Sequence, residues 1–228
     1  LARKARAYFE QKKQWARRLD ATGLLAHALT VEGKFEEAAA LGQESVDGRV
    51  ALLGPTHPAS VRARIFFAQT LIAAHRDADA LAALALLDET QLVQMPAASA
   101  GAALCLRSVA HTRLGAPEGK EEAQRCLALT PGGTEEAALA HDALGAAWRL
   151  LREDRKALGE NEAAVSIFSQ ARSPAAGQAI AGLALTQLQL DPKAARATAF
   201  RALKLFDSVP PEHAIDPCPA LWAAAEAA

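Results

Sequence analysis

The chain has 228 residues, 51% hydrophobic and 22% charged, with a formal net charge of −1. That length and apolar content allow either one compact domain of about 200 residues or a short stack of repeats. The near-neutral charge excludes a molecule drawn as a whole to nucleic acid or to a membrane surface. No run of 18 or more apolar residues is present to span a bilayer, and there is no signal-peptide pattern, so a cytoplasmic location is expected. Opening on Leu1 rather than methionine, the sequence is expected to be a processed form or a piece of a longer protein.

Alanine is abundant and aromatics are only 5%. Alanine is the best helix former and lets helices approach closely, so the chain reads as all-α. Residues 1–18 predict a charged helix in which seven basic groups stand against Glu10 alone, a local charge of +6. Such a segment contacts phosphate or acidic partners, or is a solvated face. A first helix pair is predicted over about 20–32 and 34–53, with Gly33 in the turn, where a positive φ is tolerated. Gly54 and Pro55 stop it, and Thr56 or His57 caps the next helix with Pro58 in its first turn. The second pair spans about 57–75 and 77–88, with Ile65, Phe67, Ala68, Leu71 and Ile72 facing Leu81, Leu84 and Leu87. The third spans about 97–114 and 117–129, with a stripe of Leu106, Val109, Ala110 and Leu114. The fourth, about 134–151 and 153–171, starts on Thr134 and packs Leu144, Gly145, Trp148 and Leu151 against Ala157, Ala164, Val165 and Phe168. The fifth, about 174–190 and 192–207, has Pro174 and Pro192 at its helix starts and sets Ile180, Leu183, Ala184 and Leu188 against Phe200, Leu203 and Phe206. A Pro-rich segment and a terminal helix with Leu221 and Trp222 follow.

A small residue recurs in the middle of each first helix at Ala26, Ala68, Ala110, Gly145 and Ala184, in steps of 42, 42, 35 and 39 residues. That is the length of a helix–turn–helix pair with its connections, which buries its apolar face only against a neighbouring pair. The predicted fold is therefore a right-handed superhelical solenoid of about five antiparallel helix pairs. Its parts are a basic N-terminal lead-in helix (1–19), repeats over 20–209 (about 20–54, 56–90, 96–130, 134–172 and 174–208), and a Pro-rich segment with a capping helix (210–228).

Ala26, Gly33, Phe35 and Ala38 match the small–glycine–aromatic–alanine pattern of tetratricopeptide (TPR) repeats, and Ala68 with Ala80 and Gly145 with Ala157 match it in part. The stretch from Leu52 to Ser60, LLGPTHPAS, is similar to the linker of the roughly 42-residue kinesin-light-chain-like subclass common in bacterial signalling proteins. The resemblance covers about residues 20–208. It implies a module that binds peptides or partner proteins, often beside kinase, nucleotide-binding or DNA-binding domains.

No phosphate loop, H-E-x-x-H, paired C-x-x-C or G-x-S-x-G elbow is present, so neither enzyme chemistry nor a cofactor is expected. Cys105, Cys126 and Cys218 are odd in number and lack tight spacing, which argues against a disulfide framework or a zinc knuckle; Cys105 and Cys126 read as buried thiols. His141 and Asp142 are adjacent and point about 100° apart on a helix, too far to act together. His57 reads as a cap, His75 and His111 as helix C-terminal residues, and Glu121-Glu122 and Glu135-Glu136 as solvated helix starts.

The faces of the first helices are the expected partner-binding groove: His27, Arg62, Gln69, Arg107, His111, Asp142, Arg149 and Gln189, with Asp20 and Gln178 beside them. Arg62, Arg107 and Arg149 from three successive units suit an acidic or C-terminal carboxylate segment, since arginine forks grip carboxylates bidentately. Apolar Ile65, Ile72, Leu185 and Leu188 suit an amphipathic helix instead. The expected function is a scaffold or adaptor in bacterial signalling; the alternative is a ligand-sensing domain of a kinase or transcription regulator. The units vary too much for a one-base-per-repeat RNA code, and homodimerisation through the terminal helices is open.

Overall fold

The computed structural model describes residues 1–173, 175–207 and 218–227. The expectations for Pro174, for the Pro-rich stretch 208–217 and for the side chains of Leu221 and Trp222 lie outside the described residues. Thirteen helices are present among the described residues, and no strand: α1 (Ala2–Gln11), α2 (Trp15–Val31), α3 (Phe35–Leu53), α4 (Pro58–Ala73), α5 (Asp77–Leu84), α6 (Glu89–Gln94), α7 (Ala97–Arg113), α8 (Glu118–Leu129), α9 (Glu135–Leu150), α10 (Asp154–Gln170), α11 (Ala176–Gln187), α12 (Pro192–Asp207) and α13 (Cys218–Glu226). They fall in two compact units, residues 1–99 and 100–228, within which helices pack against their neighbours in sequence, α1 to α5 in the first and α8 to α13 in the second. None of the described helices is long and apolar enough to cross a membrane.

One turn recurs. Lys13, Gly33, His75, Gly115, Arg152 and Arg172 all have a φ between 53° and 73°. After each, the next amide donates back across the turn: Gln14 to Phe9, Lys34 to Leu29, Arg76 to Leu71, Ala116 to His111, Glu153 to Trp148 and Ser173 to Phe168. This left-handed closure satisfies the last carbonyls of a helix and reverses the chain. Only two of the six residues are glycine, so a search for glycine alone finds the turns at Gly33 and Gly115 and misses the rest. The turn at Lys13 also breaks the predicted 1–18 helix: α1 ends at Gln11, and Trp15 to Arg18 open the first repeat helix.

In the first unit, Leu25, Ala26, Leu29, Ala38 and Leu41 form a core shared by α2 and α3. His57 caps α4, its Nδ1 accepting from the Ala59 amide at 3.1 Å, with Pro58 as the first helical residue. The basic lead-in helix lies on the first pair, where Arg3 meets Glu37 at 2.9 Å, Arg6 meets Glu44 at 2.9 Å, and Arg18 also meets Glu44. Three of the seven cations of residues 1–18 are thus spent on carboxylates of α3.

In the second unit, Thr134 caps α9 by accepting from the Ala137 amide at 3.2 Å. Ala138, Ala164, Val165, Phe168, Ile180 and Leu183 form a core that Ala202 of α12 and Ala220 of α13 complete. The five marker positions Ala26, Ala68, Ala110, Gly145 and Ala184 are all buried. Gly145 is obligatory for closeness: a Cβ there would collide with the Asn161 amide of α10. Leu114, Leu151 and Phe200, expected in the stripes, are exposed; Leu114 and Leu151 fall at the closing turns, where the helix has no neighbour to cover them. Cys105 and Cys126 are buried as expected but are joined in a disulfide, with their Cα atoms 5.3 Å apart. Each lies ten residues from the Gly115-Ala116 turn, so the antiparallel packing of α7 and α8 brings them level.

Candidate functional site

A cleft of about 500 Å³ opens in the first unit, lined only by residues of α2, α3 and α4. His27 and Phe66 are 6.5 Å apart between ring centroids, and the Thr30 and Thr70 hydroxyls are 3.0 Å apart. Those two pairs show α2 and α4 running parallel, offset by about 40 residues, as the two walls. The floor is made of small residues, Ala26, Gly42, Ser45 and Ala63, which keeps the space between the walls open. One end holds Asp20 and Arg49, joined at 2.8 Å, with Arg49 also bonded to Ser45. The middle carries Leu24 and Phe66, both exposed, and the far end carries His27 and Thr70. Arg62 lines the wall one turn before Phe66, toward the Asp20–Arg49 end, and meets no carboxylate among the described residues.

The structure brings His27 and Arg62 together in this cleft, with Asp20 beside them. Gln69 is half-buried on α4 and is not part of its lining. Ile65 and Ile72 are buried in the core, and Phe66 and Phe67 take the places in the cleft that were expected of them. Arg49 was missed because it lies on a second helix, where the repeat pattern places no groove residue. The available signal was its position four residues after Ser45, which puts both on one face of α3.

In the second unit, Arg107 and His111 turn toward α8. Arg107 Nη2 lies 2.6 Å from Glu122 Oε1, and His111 Nδ1 lies 2.7 Å from Glu122 Oε2. Glu122 is thereby buried rather than solvated, unlike Glu135 and Glu136, which are exposed. Asp142 and Arg149 belong to a network threaded between α9, α10 and α11. Thr186 donates to Asn161 Oδ1 at 2.7 Å, Asn161 Nδ2 donates to Asp142 at 3.5 Å, and Arg149 donates to Thr186 at 3.4 Å. Asp142 also lines a small cleft of about 70 Å³ with Arg113 and Gln178. Gln189 lies in the exposed turn after α11, which ends at Gln187. Trp148 carries the ammonium groups of Lys120 and Lys156 at 4.5 and 4.6 Å from its ring centre, a cation–π contact on each side of the pairing of α9 with its neighbours in sequence.

Burial pushes the Asp142 carboxyl up from 3.8 to about 6, against the opposing pull of Arg149, Arg113 and the Asn161 amide. Desolvation also lowers Arg149 below its ordinary range. The folded state therefore holds the Asp142 proton more tightly than the unfolded chain does. The stability this contributes is present below about pH 4 and is lost as the pH rises through 6. At pH 7.5, Asp142→Asn is expected to be more stable than the parent by about 1–3 kcal/mol, a difference that vanishes near pH 4. Urea midpoints of the two proteins at both pH values check this; a pH-independent difference refutes it.

No family model matches the chain, and no curated protein sequence matches it. Among solved structures, it is similar to a Podosopora anserina putative kinesin light chain with nearly identical TPR-like repeats. A glutamine-to-methionine variant of that protein superimposes with a TM-score of 0.58 at 18% identity, over 84% of this chain and 92% of that one. The form without that change gives a TM-score of 0.57 at 18% identity, over 83% and 92%. The fold is that of TPR-like helical repeats, reached here by a sequence only 18% identical to those proteins.

Proposed function

We propose that this chain is a protein-interaction module that receives a segment of a partner between the first helices of its repeats. The observation that carries this is the cleft between α2 and α4, where Leu24 and Phe66 stand exposed beside Arg62, which has no carboxylate partner among the described residues. Apolar side chains left in water next to such a guanidinium suit a partner segment that supplies both an apolar group and a carboxylate. His27 and Arg62 are the residues assigned to that contact, and an adaptor role in signalling is the setting it suits. TPR-like neighbours share the architecture, which supports a binding rather than a catalytic role. The volume of the cleft also favours a second reading, a sensor of a small ligand within a larger regulator.

Gly23→Leu tests the site. Gly23 lines the cleft, and a Cβ there meets only ordinary contacts, 3.4 Å from Ser45 and 3.9 Å from Arg49. A leucine projects into the cleft, replacing a mid-helix glycine gains roughly 0.5–1 kcal/mol of helix propensity, and an undiminished urea midpoint checks that the variant folds. A photo-cross-linking residue at Leu24 is expected to capture partners that the same residue at exposed Val93 does not, and Gly23→Leu is expected to abolish that capture. Identical captures at both positions, or capture unaffected by the plug, refute the assignment.

A further inference from the structure

We infer that the outward face of α12 rests against an anionic lipid bilayer, in a peripheral contact made by Lys193, Arg196, Arg201 and Lys204 around Phe200. The inference does not rest on the cleft between α2 and α4. It concerns a convex helix face rather than a groove.

The sequence builds this face by placing small residues on the inner side of α12. Ala199 packs with Ala184 of α11 and Ala223 of α13, and Ala202 joins the core around Ile180 and Ala220. With alanines turned inward, Phe200 faces out and is 54% exposed. Lys193, Arg196, Arg201 and Lys204 are exposed as well. At about 100° per residue, all four fall within an arc of about 140° with Phe200 inside it, along ~16 Å of the helix. The Arg196 guanidinium lies over the Phe200 ring, 5.9 Å from its centre.

None of these four cations meets a carboxylate among the described residues. The cause lies in the helices around them. The described stretch of α11 carries no charged residue, and Glu226 is the one acid of α13. On α12 itself the one acid is Asp207, and Asp191 before it accepts from the Ala194 amide at 3.1 Å. Residues 1–18 hold more cations in the sequence, yet Arg3, Arg6 and Arg18 are drawn onto Glu37 and Glu44. A chain of net charge −1 thus carries a local face of +4, so attraction to an anionic surface is directional.

The shape of the face selects the partner. A peptide segment needs a groove or a strand edge to hold its backbone, and α12 lines neither of the two clefts described. A single-stranded nucleic acid held by stacking needs a row of aromatic rings. This face has one, and the Arg196 guanidinium already lies over it. A bilayer needs neither feature. Its surface is flat and anionic, meets the four cations at the phosphate level, and offers the Phe200 ring the acyl boundary beneath. The contact stays at the surface, because the alanine face of α12 is occupied by α11 and α13 and no described helix is long and apolar enough to cross a membrane.

The test is co-sedimentation of the full chain with vesicles of phosphatidylcholine alone and of phosphatidylcholine with roughly one-third phosphatidylserine, beside fluorescence anisotropy with labelled oligothymidylate. Binding to the mixed vesicles alone is expected, with each cation strengthening it about fivefold. Arg196→Gln with Arg201→Gln is expected to weaken the partition about 25-fold, and Phe200→Ala about fivefold. Urea midpoints are expected to match the parent's, because the replaced side chains are exposed. Raising the salt from about 0.05 to about 0.5 M is expected to release the parent itself, a readout that needs no substitution. Equal sedimentation with both vesicle types, sedimentation with neither, binding that survives the double substitution or the high salt, or tighter binding to oligothymidylate than to the mixed vesicles overturns the inference.

Discussion

Glu122→Ala is expected to cost about 3–5 kcal/mol. The Glu122 side chain is 6% exposed, and its two oxygens serve Arg107 at 2.6 Å and His111 at 2.7 Å across the α7–α8 pair. Removing it takes from both Arg107 and His111 the buried carboxylate that joins them across the helix pair, and the cost is that of breaking a buried charge pair rather than of one exposed bond. For a chain of this length the loss corresponds to a fall in melting temperature of roughly 6–20 °C. The double variant Glu122→Leu with Arg107→Met is expected to recover most of it, because two apolar side chains of similar volume carry no desolvation cost. Thermal and urea unfolding of the single and double variants decide the matter. A single-variant loss below about 1 kcal/mol would mean that solvent screens the pair.

Reduction of the Cys105–Cys126 disulfide is expected to cost about 3 kcal/mol. The bond closes a loop with a sequence separation of 21 residues, and cross-linking a loop of that length removes roughly this much conformational freedom from the unfolded chain. Both residues are buried between α7 and α8, so the reduced thiols still fit the core as small apolar groups and the fold survives. The expected result is a urea midpoint lowered by tris(carboxyethyl)phosphine in the parent and insensitive to it in a Cys105→Ala/Cys126→Ala variant. If the reductant leaves the parent's midpoint unchanged, and Cys105 and Cys126 titrate as free thiols in denaturant alone, the bond does not form in solution. The two predictions concern the same helix pair, yet they act on different states: Glu122 on the folded one, the disulfide on the unfolded one.

Helix periodicity, caps and small residues in the sequence locate the helix pairs, but not the break at Lys13 within the predicted 1–18 helix or the short α6 between the second and third pairs. Apolar residues at three-and-four spacing locate the helix pairs, His57-Pro58 and Thr134 mark two helix starts, and the recurring alanine or glycine marks where helices approach most closely. These features are local: each depends on residues within about one turn of one another. Tertiary structure alone decided which way the polar residues at the edges of each stripe turn. A helix in a stack of pairs has neighbours on two sides, and periodicity gives the direction of the core without saying which flank a residue one position away will meet. Ile65 and Phe66 illustrate it, the first buried and the second in the cleft. Glu122 illustrates it again: the spacing of a solvated helix start is unchanged, but Arg107 and His111 on the preceding helix draw it inward. The Asp20–Arg49 contact spans 29 residues and the Cys105–Cys126 bond spans 21, so neither has a local signature. Both exist because antiparallel packing sets residues equidistant from a turn side by side, and that equality becomes visible only once the turn itself, often closed by a residue other than glycine, has been located.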